Sequence, residues 1–173
     1  MRSQNPSEKF RFIADQMLGR LAKWLRLLGY DTLYLNPAPD GKLIEIAKEQ
    51  NRVLLTRDTH LMERRPIKKG IVRAVLIRDD AWEKQLAQLV SEFGLSPRKF
   101  RDSPFCGECN SLIQEISKEK VKEKVPLYVY QTHDYFSTCP NCGRYYWEGT
   151  HWERINEKLG SIFGEFSQAS SKD

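Results

Sequence analysis

Phe12-Ile13-Ala14-Asp15-Gln16-Met17-Leu18-Gly19-Arg20-Leu21-Ala22-Lys23-Trp24-Leu25-Arg26-Leu27-Leu28-Gly29-Tyr30-Asp31 is the stretch whose reading decides the fold. It opens as a short apolar run that ends in an acid. It continues as an amphipathic helix, because Leu18, Leu21, Leu25 and Leu28 recur at spacings that share one face. Arg20, Lys23 and Arg26 fall elsewhere on that helix and are expected to stay in water. Gly29 is a natural stop. A strand carrying a carboxylate at its end, followed directly by a helix with one apolar face, is the opening of an α/β unit.

The pattern repeats downstream. Thr32–Leu35 reads as a second strand, closed by Asn36-Pro37-Ala38-Pro39. Asp40 is expected to N-cap a helix running to about Asn51. Arg52–Thr56 is a short apolar run suited to a buried parallel strand. Asp58 then caps a short helix that should stop before Pro66. Ile71–Ile77 is a fourth strand, and a helix from Ala81 to Phe93 closes on Gly94. Such alternation predicts a parallel sheet with helices on both faces. The functional crevice of such a sheet lies beyond the carboxyl ends of its strands. Asp15, Asp58 and Asp79 sit at such ends, and Asp40 opens the helix after strand two. Asp31 and Asp80 are weaker members of the same set.

From about Ser96 the character changes. Cys106-Gly107-Glu108-Cys109 and Cys139-Pro140-Asn141-Cys142 are two C-x-x-C knuckles. Together they supply four thiolates, a closed tetrahedral set for one structural Zn²⁺. A redox dithiol pair and an iron–sulfur cluster are the rivals. The module buries too little apolar surface to fold unaided, and zinc binding worth roughly 10–16 kcal/mol can supply the difference. Leu127–Tyr130 and Tyr145–Trp147 read as its strands, after a charged insert at Lys118–Lys124. A short helix is expected through Ile155 and Leu159. The reading divides the chain into a sheet domain over 10–95, a zinc-ribbon module over 96–159 and a flexible tail over 160–173.

The chain has 173 residues and a formal net charge of +5, a modest basic excess that suits a polyanionic partner. Arg57, Arg64, Arg65, Lys68 and Lys69 crowd one segment with only Asp58 and Glu63 to offset them. No apolar run approaches the roughly 20 residues of a membrane helix. The first nine residues lack the apolar stretch of a signal peptide. The expected compartment is the cytoplasm, where thiols stay reduced and bind metal rather than pair. No membrane or protein partner is indicated.

Four clustered aspartates have a bland explanation, since Asp is a preferred N-cap. They also supply the hard oxygen ligands that Mg²⁺ or Mn²⁺ need for phosphodiester hydrolysis. A phospho-acceptor receiver domain wants paired acids after strand one, and an Asp-nucleophile phosphatase wants an acid two residues after the first. Gln16 and Met17 fail both.

Phe12–Asp31, Leu54-Leu55-Thr56-Arg57-Asp58, the cysteine quartet with Cys109-Asn110, and Tyr146-Trp147-Glu148-Gly149-Thr150-His151-Trp152 together resemble the Mut-seven C-terminal RNase domain family. The resemblance spans roughly Phe10 to Leu159. It implies a three-layer, PIN-like nuclease fold followed by a four-cysteine zinc ribbon, and a metal-dependent ribonuclease acting on single-stranded or structured RNA. On that resemblance Asp15 and Asp58 match the acidic positions, Asp40 matches the acid opening the second helix, and Asp79 stands against Asp80 for the fourth. Arg20, Lys23, Arg26 and Arg57 become candidate phosphate contacts, and the zinc ribbon an aid to RNA binding. A non-catalytic RNA-binding or ribosome-associated zinc-ribbon protein is the alternative. Only the nuclease needs the aspartates as carboxylates.

Overall fold

A computed structural model of the chain describes residues 10–96, 104–149, 157 and 159–164. The first unit is a parallel sheet of β1 (Phe12–Ala14), β2 (Thr32–Tyr34), β3 (Val53–Thr56) and β4 (Ala74–Leu76) in the order β2-β1-β3-β4. Its helices are α1 (Gly19–Leu27), α2 (Asp40–Glu49), α3 (Thr59–Met62), α4 (Arg65–Lys68) and α5 (Trp82–Phe93). The α/β class is as expected.

Side chains alternate across a strand, and that alternation makes two cores. Phe12, Ala14, Val53 and Leu55 face α1 and α5, with Leu21, Leu25, Leu28, Leu86 and Leu89 packed on them. Ile13 and Leu54 point the other way, onto Leu43 and Ala47 of α2 and Leu61 of α3. The leucine stripe read from the sequence is buried throughout: Leu18, Leu21, Leu25 and Leu28 are each at most 1% exposed. Trp24 and Trp82 stack face to face with centroids 4.1 Å apart, tying α1 to α5.

One local expectation fails around the helices: Pro39 rather than Asp40 is the N-cap residue of α2, and Asp40 is its first helical residue. The helix capped by Asp58 stops before Pro66, as expected, and Pro66 sits in the first turn of the next helix, α4, where its missing N–H costs nothing.

The second unit is an antiparallel sheet of β5 (Gln114–Ile116), β6 (Phe136–Thr138) and β7 (Tyr145–Trp147). Between β5 and β6 lie α6 (Lys118–Val121) and α7 (Leu127–Thr132). The expectation of a strand over Leu127–Tyr130 is therefore corrected. Val129 of α7 packs with Val121, Val125 and Phe136 in a small core, so this packing outweighs the strand preference of Val and Tyr.

Residues 159–164 are helical, and Leu159 and Ile162 are buried in the larger core beside α1 and α5. The first residues of the stretch read as a tail, 160–164, thus continue a helix. Ile155 and residues 165–173 lie outside the described residues. No helix among the described residues is long and apolar enough to cross a membrane.

Candidate functional site

The sheet order fixes where a site can form. The chain leaves β1 for β2 on one side and returns to β3 on the other, so the carboxyl ends of β1 and β3 flank a switch point. Asp15 follows β1 and Asp58 lies two residues past β3. A cavity of about 270 Å³ opens there, lined by Asp15, Asp40, Arg57 and Asp58 together with Gln16, Met17 and four apolar or hydroxyl neighbours.

Asp15 is only 5% exposed. Its Oδ1 accepts the Met17 N–H at 2.9 Å, capping a 3₁₀ turn over Gln16–Leu18. Its Oδ2 accepts the Thr56 hydroxyl and, at 3.1 Å, the Arg57 N–H. A carboxylate has about four acceptor positions, so three donors hold it rigidly and leave room for another ligand. The Thr56 hydroxyl, while donating to Asp15, accepts the Asp58 N–H at 2.9 Å. One buried threonine thus sets both acids. Thr56 belongs to the run Leu54-Leu55-Thr56-Arg57-Asp58, and local pattern alone assigns it no task. The signal was its place as the only polar residue in the run Val53-Leu54-Leu55-Thr56.

Asp58 Oδ1 accepts the His60 N–H at 2.7 Å and caps α3. Capping and site placement coincide at Asp15 and Asp58. Asp40 is free of capping duty and accepts from Arg64 Nη2 at 3.1 Å. Asp79 does not line the cavity. Its Oδ1 accepts the Ala81 N–H at 2.9 Å and its Oδ2 faces Lys84 Nζ at 3.3 Å. The Ala81 N–H bond leads the balance that holds its carboxyl below the usual range, with Lys84 adding to it. Asp80 instead pairs with Arg57.

The basic residues divide. Arg26 was expected in water and is 4% exposed. Its Nε donates to the Thr32 carbonyl at 2.8 Å, and its Nη1 donates to the carbonyls of Gly107 and Glu108 at 3.1 and 2.8 Å. It clamps α1 to the first cysteine knuckle and has no face for a phosphate. Lys23 pairs with Glu108 on the same knuckle. Arg20 is exposed and lies 5.4 Å from the centre of the Trp82 ring. Arg57 lines the cavity, and its buried Nε has no hydrogen-bond partner among the described residues.

Asp31 also has a structural task. It accepts from Arg52 Nη1 and Nη2 at 2.7 and 2.9 Å, from Arg11 Nε at 3.1 Å and from Asn110 Nδ2 at 2.7 Å. Burial raises its pKa, but the bonds from Arg52 and Asn110 outweigh burial and hold it below the ordinary carboxylate range. Asn110 in turn accepts the Thr32 N–H at 2.9 Å. Its φ of 66° is one that Asn tolerates better than most residues. The residue just after the C-x-x-C knuckle thus completes the edge of the parallel sheet.

The four cysteine sulfurs lie within 4.8 Å of one another. Cys109 and Cys139 lie 3.4 Å apart and Cys106 and Cys142 3.5 Å apart. A tetrahedral Zn²⁺ with bonds of about 2.3 Å sets its sulfurs about 3.8 Å apart, so the cluster is compatible with a zinc site. Left to themselves the thiols cannot all ionise. Burial opposes the Cys109 thiolate, yet hydrogen bonds involving Asn141 and Ser111 bring it down to about 5. The Arg144 backbone favours the Cys142 thiolate, but burial and the neighbouring sulfurs push it up to about 12. A central dication supplies the charge that four thiolates need. The Tyr146 hydroxyl sits 2.9 Å from Cys106 Sγ. Among the described residues this is the one group of three or more metal-ligating side chains drawn this close together. The aspartates line their cavity without closing to that degree.

A parallel sheet with acids around its switch point, followed by a ribbon built on four cysteines, defines an α/β protein with a four-cysteine module compatible with a zinc site. The Mut7-C RNAse domain family model matches residues 10–159, and the chain belongs to that family. Membership supports a nuclease-type function with RNA as substrate. We found no curated protein that matches the chain.

Proposed function

We propose that this protein is a Mg²⁺- or Mn²⁺-dependent ribonuclease whose working carboxylates are Asp15, Asp40 and Asp58, with one structural Zn²⁺ on Cys106, Cys109, Cys139 and Cys142. The observation that carries the reading is the meeting of three acids from three chain segments in one cavity at the switch point. Their chemistry suits a hard cation, and Mg²⁺ needs only one or two protein carboxylates because it keeps several waters. When bound, such a cation supplies an activated water and stabilisation of the leaving oxygen.

The chain's own part is positioning. Thr56 and the Met17 and Arg57 N–H groups fix the Asp15 carboxylate. His60 N–H fixes one oxygen of Asp58. Arg57 holds an unmet buried donor at the cavity wall, and an RNA phosphate oxygen is an acceptor for it. Asp79, committed to Ala81 and Lys84, has no part in this reading. The ribbon aids RNA binding by locking the sheet edge through Arg26 and Asn110. Free cysteines favour a reducing compartment such as the cytoplasm.

The test compares wild type, Asp15→Asn, Asp58→Asn and Asp79→Asn on labelled RNA with Mg²⁺, Mn²⁺ or neither, beside melting curves. At Asp58 Asn keeps the capping acceptor; at Asp15 its amide would face the Arg57 N–H that Oδ2 now accepts, so the melting curve separates a loss of fold from a loss of chemistry in that variant. Cleavage should vanish in the first two variants and persist within about two-fold in the third, since surface changes away from a site are nearly neutral. No cleavage by wild type under any metal condition, with RNA bound equally by all four proteins, would make this a non-catalytic RNA-binding protein.

A further inference from the structure

The phosphate contacts expected on α1 are largely spoken for. Arg26 is buried against the knuckle, Lys23 is paired with Glu108, and Arg20 lies over Trp82. The free positive charge lies elsewhere. Arg64 precedes α4, Lys69 follows it, and Arg65 and Lys68 lie within it. All four are exposed. Spacings of three and four residues put them on one side of a single turn, while Ile67 packs against the core on the other. Like charges at such spacings destabilise an isolated helix, so nothing in the local folding of α4 calls for them. Glu63 offsets Lys68 and Asp40 offsets Arg64. Arg65 and Lys69 have no ion-pair partner among the described residues. The cluster is also continuous with the cavity, because Asp40, the partner of Arg64, lines it.

We propose that Arg65, Lys68 and Lys69 form a backbone-binding platform for single-stranded RNA, leading the strand past Arg64 to the cavity. This rests on the ribonuclease reading for its direction, though the contact itself does not need catalysis. Long, flexible lysine and arginine side chains on one turn grip successive phosphates without reading bases, so binding should be salt-dependent and tolerant of sequence.

The experiment measures binding of a labelled single-stranded oligoribonucleotide against salt, in an Asp15→Asn background so that no RNA is cut. The platform variant is R65Q/K68Q/K69Q. The control, K48Q/K122Q/K124Q, removes the same charge from exposed lysines outside α4. Each lost phosphate contact lowers the slope of log K against log salt by about 0.7 on single strands, so the platform variant should lose about 2 and the control almost nothing. Equal slopes in the platform variant and the parent, or an equal loss in the control, would overturn the proposal. Should wild type cut no RNA while the platform variant still loses its slope, the ribonuclease reading fails and the platform stands. A melting curve for each variant checks that the slope is not lost through unfolding.

Discussion

Asp31→Asn tests how the two units are joined. The Arg52 side chain is 4% exposed and Asp31 20%, so the pair is largely desolvated. Asparagine keeps the shape but places an amide donor where a carboxylate oxygen now accepts from Arg52 and Arg11. The Arg52 guanidinium is then buried without its counter-charge. Breaking a buried pair by removing one partner costs about 3–5 kcal/mol, and the partial exposure of Asp31 favours the lower end. For a chain of this size each kcal/mol moves Tm by about 2–4 °C, giving a fall of about 6–12 °C. Urea unfolding should show a lower midpoint at unchanged m. A loss below about 1 kcal/mol would mean the pair behaves as a surface ion pair, and the reasoning would be refuted. A cycle with Asn110→Ala should reveal coupling of about 1 kcal/mol, because the two side chains bond directly. The sign with pH follows from the lowered pKa of Asp31. Its stabilisation is fully present above the unfolded value of about 3.9 and is lost as pH falls through the lower folded value. Asp31→Asn should therefore flatten the acid limb of the stability curve.

Arg26→Lys should destabilise by about 2–4 kcal/mol, since one ammonium cannot span three carbonyls and buried acceptors go unmet; its RNA-binding salt slope should match wild type, and a reduced slope would restore Arg26 as a phosphate contact. Elemental analysis should find one zinc per chain. Chelation at neutral pH should lower the melting temperature of the whole chain rather than of the ribbon alone, because Arg26 and Asn110 tie the knuckle to the sheet. Zinc retention should weaken as pH falls, because the ligands must be deprotonated; a chelated protein melting like the untreated one would exclude a structural role for the metal.

What was legible in the sequence was what local periodicity encodes. The leucines of α1, the apolar runs of β1 and β3, and the two C-x-x-C pairs all declare themselves within a dozen residues. The misreadings share a cause: each depends on distant partners. Arg26 looked wet because charge normally means exposure, yet its acceptors lie 81 and 82 residues downstream. Asp31 looked like a spare acid because Arg52 and Asn110 are 21 and 79 residues away. Leu127–Tyr130 read as strand by composition, and only its packing on Phe136 selects the helix. Of the site acids, Asp15, Asp40 and Asp58 were expected at the crevice and do line one cavity. Asp79 could not be separated from Asp80, because the turn after β4 decides which carboxylate faces Arg57.

The bond from Asn110 to the Thr32 backbone has a bearing on how the chain is made. β2 is the outer strand of the parallel sheet, and part of its edge is satisfied only by a residue 78 positions later. During synthesis, β1, β2 and β3 emerge long before the first knuckle. Until that knuckle arrives, Thr32 N–H lacks its acceptor, and Asp31 and Arg26 lack the bonds that Asn110, Gly107 and Glu108 complete. The nascent sheet is thus held open-edged for roughly 80 residues, several seconds at 5–20 residues per second. With zinc on the four cysteines, as proposed, metal supply would become part of the folding timetable, and a chain made without it would keep its sheet edge bare, the state in which strands pair with the wrong neighbour.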